Sequence, residues 1–412
     1  MKKVYIIGIG MGNPDTLTFG AFQTIKESQA VVGARRMIES VGIRSDRTHN
    51  AVAPSEILKW LRQQEDLENA AVLMSGDTGF YSGAKKLISL IEEETDWEIE
   101  VIPGISSLQY FCAKIRTSWD DVKVLSLHGR EANFLGAVRS CEKVFFLTDK
   151  QHTPSFICEA LTEAGMGEAD VFVGERLSYS EETITSGPAY VLAEQDFDPL
   201  SVVLVENHDY QEKPIVTHGI PDGQFLRGDV PMTKEEVRSV TISKLGVRKN
   251  DIIYDIGAGT GSVAVELALQ AQEGKVYAIE TKEEAADLIE ENKVRFGADN
   301  LHIIRGMAPE ALEELPPADT AFIGGSKGNM KEIVAALIEK NPDIRIGVNV
   351  IALESLAEAL QAFQEQGFEN PDIVQISAAR TKTAGSYHMM TGQNPVFILT
   401  AQKMKQDGEY DE

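Results

Sequence analysis

Seven residues, Asp255 to Gly261 (DIGAGTG), constrain this chain more than any other feature. An apolar run, Ile252–Ile256, ends directly in a loop with glycine at alternate positions, and a helical stretch, Gly261–Gln272, begins where the loop ends. Glycines permit the tight turn and let backbone approach a ligand closely, while the N–H groups of the helix start face that ligand. Glu280 closes the next apolar run, nineteen positions after Gly261. A carboxylate there can accept hydrogen bonds from both hydroxyls of a ribose. The pattern predicts a nucleotide-type site at the C-terminal edge of a parallel sheet.

The rest of the chain supplies that sheet. In the second half the expected strands are Ile252–Ile256, Lys275–Ile279, Leu301–Arg305, Thr320–Ile323 and Arg345–Val350, with helices Gly261–Gln272 and Lys282–Phe296 between them. In the first half they are Val4–Ile9, Ala71–Ser75, Glu98–Ile102, Val122–Leu127, Val144–Thr148, Asp170–Gly174 and Ser201–Val205, with helices such as Ser55–Gln64 and Gly83–Glu93. This alternation predicts an α/β fold with parallel sheets and sites at strand C-termini. The segment His208–Val230 is rich in Gly, Pro and charge and has no helical period, so it is read as a linker. The expected organisation is one domain over 1–207, a linker over 208–229 and a second domain over 230–404. The first domain divides into two lobes near Ile115–Asp121, and an acidic tail follows Met404.

The net charge is −25, from 64 acidic and 39 basic residues. Such a surface repels phosphate backbones and anionic membranes, which argues against a nucleic-acid partner. An anionic small substrate would need local Arg or Lys to offset the field. The three cysteines, Cys112, Cys141 and Cys158, are scattered and show no CxxC spacing, so they are read as reduced thiols, with no metal site. No run approaches the roughly 20 apolar residues that span a bilayer, and the first apolar run breaks at glycines too early for a signal peptide. The expectation is a cytoplasmic protein.

Dinucleotide enzymes share the glycine-loop logic. The acid that opens the loop, Asp255, and the spacing Asp255, Gly257, Gly259, Gly261 resemble class I S-adenosylmethionine methyltransferases. An antiparallel pair, Asp372–Ser377 with Asn394–Thr400, would close such a sheet. The segments Pro231-Met232-Thr233-Lys234 before a helix carrying Arg238, Gly306-Met307-Ala308-Pro309-Glu310, Phe322-Ile323-Gly324-Gly325-Ser326-Lys327-Gly328 and Val348-Asn349-Val350 are similar to the carbon-15 methyltransferases of corrin biosynthesis, over Val230 to about Ala401. That resemblance implies a Rossmann-like domain holding S-adenosylmethionine through Thr233, Asp255, Gly257, Gly259, Thr260, Gly261, Glu280, Met307 and Ala308, with Asn349 at the methyl-transfer pocket. Met307 departs from the family, which often carries an acid there; adenine would stack on it and bond to backbone. Gly324–Ser326 is either a plain turn or the approach for a large flat substrate. Asn349 can alternatively cap a helix, and Lys327 can be a solvated charge.

A second set of loops lies in the first half. Gly8-Ile9-Gly10-Met11-Gly12-Asn13-Pro14-Asp15, Ser75-Gly76-Asp77-Thr78-Gly79 and Pro103-Gly104-Ile105-Ser106-Ser107 each follow a strand, so they can converge on one sheet edge. The triplet resembles the tetrapyrrole methylase family over about Met1 to Asn207, with Met11 and Thr78 standing where the family usually has Pro. The resemblance implies a two-lobed fold that binds S-adenosylmethionine through Gly8, Gly10, Gly12, Gly76, Asp77, Ser106 and Ser107. Asp77 is either a turn organiser or a polar group near the reacting carbon. Leu127-His128-Gly129-Arg130 and Gly174-Glu175-Arg176-Leu177-Ser178 look like the carbon-5 methylases of the same pathway. Some arginine must face a substrate so rich in carboxylates, with Arg35, Arg36, Arg116, Arg130 and Arg176 as candidates.

Together the halves resemble fused corrin-pathway methyltransferases. This implies two S-adenosylmethionine sites, a corrin-precursor tetrapyrrole as substrate, methylation at carbons 5 and 15 with decarboxylation of an acetate arm, and homo-oligomeric assembly. No HExxH motif or Cys/His cluster is present, as expected for methyl transfer, which rests on positioning. The alternatives are a nucleic-acid methyltransferase, a protein methylase of the diphthamide type and a non-catalytic cofactor-sensing protein.

Overall fold

The computed structural model describes residues 2–43, 45–127, 132–210, 218–368 and 370–402. The chain forms two compact units, Met1–Glu131 with Ala137–Gln211, and Ala132–Gly136 with Glu212–Glu412.

The first unit holds two sheets. Strands β1 (Lys3–Gly8), β2 (Ala30–Gly33), β3 (Thr48–Asn50), β4 (Asn69–Met74) and β5 (Glu98–Ile102) form a parallel sheet in the order β3-β2-β4-β1-β5. Its centre, β1 and β4, is buried on both faces, as the apolar runs require. The second sheet has the order β6-β7-β10-β8-β9, from β6 (Lys123–Ser126), β7 (Lys143–Leu147), β8 (Asp170–Glu175), β9 (Thr183–Pro188) and β10 (Ser201–Glu206). Here the expectation of parallel sheets fails. Only β6 and β7 run parallel, while β7, β10, β8 and β9 pair antiparallel. No helix separates β8 from β9, and a short connection of that kind can only return antiparallel. The lobes meet in sequence between the helix Ser107–Ile115 and β6, where the sequence divides them.

The second unit is a seven-stranded sheet, order β13-β12-β11-β14-β15-β19-β16. Its strands are β11 (Ile252–Ile256), β12 (Lys275–Glu280), β13 (Leu301–Arg305), β14 (Thr320–Ile323), β15 (Arg345–Val350), β16 (Asp372–Ile376) and β19 (Val396–Ala401). The first five are parallel, and β19 pairs antiparallel with both β15 and β16, which is the expected closing pair. The strand order reverses at β11, so the crevice beyond its C-terminal end is the ligand position of such sheets. A separate hairpin, β17 (Ala379–Ala384) with β18 (Tyr387–Gly392), was not expected.

Part of the segment read as linker is built into the second unit. Phe225 is buried in its core, and Leu226 exchanges backbone bonds with the Asn292 side chain (2.8 and 2.9 Å). The sequence does not show this, because irregular backbone tied down by side chains has no period. No helix among the described residues is long and apolar enough to cross a bilayer.

Candidate cofactor sites

In the second unit the loop after β11 is pinned to β12. Gly257 and Ala258 N–H donate to Ile279 O (2.9 and 3.2 Å), and Gly259 N–H donates to Glu280 Oε2 (2.9 Å). The other Glu280 oxygen accepts from Thr281 and Lys282 N–H (2.7 and 3.0 Å), so the carboxylate is oriented before any ligand arrives. Gly257 and Gly259 adopt left-handed φ values of 74° and 58°. A Cβ on Gly257 would lie 2.6 Å from Gly325 O, and one on Gly259 2.7 Å from Pro231 O. Only glycine lets these three loops close together.

They enclose a cavity of about 610 Å³. Of the residues expected at this site, Thr233, Gly257, Gly259, Glu280, Met307, Ala308 and Asn349 line it. Gly324 to Lys327 line it as well. Asp255, Thr260 and Gly261 lie behind that surface. Gly261 is a packing position, where a Cβ would sit 2.9 Å from Ile289. Asp255 is fully buried, and neither its oxygens nor Thr260 Oγ1 has a hydrogen-bond partner among the described residues. Burial pushes the Asp255 carboxyl up to about 7. The Ala264 N–H offsets part of this without reaching hydrogen-bond geometry, and the Glu280 charge adds to it.

Asn349 Nδ2 donates to Thr241 Oγ1 (2.9 Å), whose hydroxyl donates to Val237 O (2.8 Å). It caps no helix. Met307 is exposed at the rim, with Asn329 Nδ2 3.5 Å from its sulfur and 3.2 Å from Ala308 O. Lys327 donates to Thr281 Oγ1 across the cavity mouth. Sequence reasoning missed Gln393 and Asn394, which also line the cavity. They follow a hairpin with no apolar period, so nothing in the sequence marks them.

Arg238 has a function the sequence did not disclose. It is fully buried on the helix Glu235–Leu245 and pairs with Glu266 (2.5 Å) and Asp222 (3.2 Å). It also donates to Thr233 O (2.5 Å) and Ile220 O. It thereby ties the 220–233 segment against the wall of the cavity.

In the first unit the three loops meet as expected. Gly10 and Gly76 exchange backbone hydrogen bonds (3.2 and 2.7 Å), and both have left-handed φ. A Cβ on Gly104 would lie 2.3 Å from Gly76 O and 2.7 Å from Gly8 C. Asp77 joins the second loop to the third: Oδ1 accepts from Gly79 N–H (2.8 Å) and Oδ2 from Gly104 N–H (3.1 Å). These are the bonds of a turn organiser. Ser106 caps the helix Ser107–Ile115 through a reciprocal capping box with Gln109, and Ser107 is the first residue of that helix. Gly12 (φ 109°) packs under Tyr179, whose hydroxyl would lie 2.7 Å from an added Cβ.

Of the candidate arginines, Arg35 pairs with Glu39 and Arg176 with Asp198 at the surface (2.9 and 2.7 Å), while Arg116 ends a helix in the left-handed region. His128, Gly129 and Arg130 lie outside the described residues. Ser178, which closes the other carbon-5-like segment, also has φ in the left-handed region (73°), and its buried hydroxyl has no partner among the described residues.

Known proteins divide along the same line. Residues 3–193 match the Tetrapyrrole (Corrin/Porphyrin) Methylases and residues 224–403 the Precorrin methyltransferase domain. A Pyrobaculum calidifontis protein named "probable cobalt-precorrin-6B C(15)-methyltransferase (decarboxylating)" is 46% identical over 191 residues, 46% of this chain and 97% of its own. A Sinorhizobium protein named precorrin-6Y C(5,15)-methyltransferase [decarboxylating] is 28% identical over 400 residues, 96% of this chain and 94% of its own. The crystal structure of a precorrin-6Y C5,15-methyltransferase from Geobacter metallireducens is 34% identical, with a TM-score of 0.44, covering 47% of this chain and all of that one. This chain belongs to the precorrin methyltransferase family, with a tetrapyrrole methylase unit ahead of the precorrin methyltransferase domain.

Proposed function

We propose that the chain methylates a precorrin-6-type tetrapyrrole, metal-free or cobalt-bearing, at carbons 5 and 15 and decarboxylates one acetate arm, using one S-adenosylmethionine site in each unit. The observation that carries this reading is the end-to-end match to the Sinorhizobium C(5,15) protein, over 96% of the chain. Relatives that match 46% of this chain over 97% of their own length are named for the C(15) step and decarboxylation, which supports giving those to the second unit and carbon 5 to the first. The same reading makes the protein a cytoplasmic homo-oligomer.

The residues of the second unit fit the cofactor. S-adenosylmethionine, when bound, supplies a methyl group on a sulfonium whose departure leaves a neutral thioether. Glu280 has a fixed carboxylate for the ribose hydroxyls, and Met307 with Ala308 would flank the adenine. Asn349, on the cavity wall, is assigned to the transfer pocket. The loop 324–328 leaves room for a flat macrocycle to bring its carbon within roughly 3–3.5 Å of the methyl group. In the first unit Gly8, Gly10, Gly12 and Gly76 form the cradle, Asp77 holds its loops, and Ser106 with Ser107 presents a helix start.

Mass spectrometry of the products from Gly10→Arg and Gly259→Arg variants tests the division. The expected outcome is that Gly259→Arg loses decarboxylation and one methylation together, and Gly10→Arg loses only the other methylation. Survival of both reactions in Gly259→Arg would overturn it.

A further inference from the structure

The hairpin β17–β18 is unexplained by the fold. Its residues are almost all exposed, including Tyr387 (74%), Met389 (58%) and Met390 (64%). Exposed apolar clusters of this kind mark binding surfaces. From Ser377 to Pro395 the chain contains no aspartate or glutamate, although 64 of its 412 residues are acidic. The hairpin is therefore a basic and apolar island in a strongly anionic molecule.

Its base belongs to the cavity. Gln393 N–H closes the hairpin on Ala378 O (2.8 Å), and Gln393 and Asn394 line the cavity itself. Directly opposed residues of an antiparallel pair share a face. The register places Lys382 opposite Met389 and Ala384 opposite Tyr387, so Lys382, Met389 and Tyr387 share one face with Arg380. Met390 and His388 lie on the other. Arg380 shows where the first face is turned. It pairs with Glu235 and Glu236 (2.6 and 2.7 Å), the start of the helix that follows the cavity-lining Lys234. Arg380 is thus an anchor, while Lys382 has no ion-pair partner among the described residues.

Resting on the proposed substrate class, we infer that the Lys382–Tyr387–Met389 face of this hairpin is the outer subsite for the macrocycle of the second unit. The aromatic and thioether side chains offer an apolar platform for a flat ring, and Lys382 takes a peripheral carboxylate. The charge pattern has a physical reason. A polyanionic substrate approaching a chain of net charge −25 is repelled at long range, and an acid-free, cationic rim at the cavity mouth reverses that locally.

The test is titration of the full-length protein with uroporphyrin, a stable polycarboxylate macrocycle, alongside calorimetry with S-adenosylmethionine and light scattering for mass. Lys382→Glu is expected to weaken uroporphyrin binding by about tenfold, the scale of one charge-assisted contact (about 1.4 kcal/mol). Met390→Glu, on the opposite face of the same hairpin, is expected to leave it within about twofold (about 0.4 kcal/mol). Cofactor affinity and mass should match the wild type in both. Equal weakening by the two variants overturns the face assignment. An unchanged affinity in Lys382→Glu overturns the subsite. So does loss of an oligomer with macrocycle binding intact, which would make the hairpin an interface between copies. Failure of the wild-type protein to bind uroporphyrin while binding cofactor would instead strike the substrate class itself, and the subsite with it.

Discussion

Asp255 shows how a single buried group sets the behaviour of the cofactor-free protein. An unpaired carboxylate in a dry interior favours its neutral form, and burial raises Asp255 from an ordinary 3.8 to about 7. The folded chain therefore holds a proton that the unfolded chain has released over most of that range. The stability this contributes is complete below about pH 4 and is lost as the pH rises through about 7. Thermal melts of cofactor-free wild type and Asp255→Asn, taken from about pH 5 to about pH 8, should show a smaller decline in the variant. Parallel declines would show that Asp255 does not titrate in this window. The sequence placed Asp255 and Glu280 on neighbouring strands of one site. It did not show that Glu280 faces the cavity while Asp255 lies behind it, because a strand buried on both faces carries no alternation to separate front from back.

The helix Glu235–Leu245 illustrates how much an element can hide. Its Arg238 looked like one arginine in a family-like motif, yet it is the hub that ties the 220–233 segment to Glu266 on the helix Ser262–Gln270. Removing one member of a buried ion pair leaves the others uncompensated, here Glu266 above all. Arg238→Met should cost about 3–5 kcal/mol in denaturant unfolding of the second unit. It should also weaken cofactor binding there, since Thr233 O loses its donor; Arg238→Lys, which keeps the charge but not the fork of donors, should fall between. Wild-type stability in Arg238→Met would rule out this role. Most strands of the central sheets were legible to within two residues, because apolar runs of that length leave few choices. β2, β3, β9 and β17–β18 were not. β2 and β3 are short, and β9 and the hairpin are exposed, so no alternation long enough to read is written into them. The antiparallel half of the second lobe escaped for a related reason: apolar runs announce a strand but not its direction.

At the scale of the molecule, each unit has core clusters of its own, those around Val4, Ile7 and Phe111 in the first unit and those around Tyr254 and Val263 in the second. The glycine loops of both units were readable because strand–loop–helix geometry dictates them locally. The anchoring of the 218–230 segment was not, since its partners, Glu266 and Asn292, lie far along the chain. That anchoring decides where the second unit begins. A fragment starting at Val230 would discard Gly219, Ile220 and Asp222, the partners of Glu266 and Arg238, and leave both charges buried without them. A fragment starting at Glu212 retains them and holds the whole of residues 224–403 that match the Precorrin methyltransferase domain. The Glu212 fragment should therefore fold and bind S-adenosylmethionine within about twofold of the second site in the full chain (about 0.4 kcal/mol), while the Val230 fragment should be markedly less stable. Circular dichroism melts with calorimetry separate the outcomes. Equal stability of the two fragments would show that the segment only decorates the domain, and a folded Glu212 fragment without cofactor affinity would show that the second site needs the first unit.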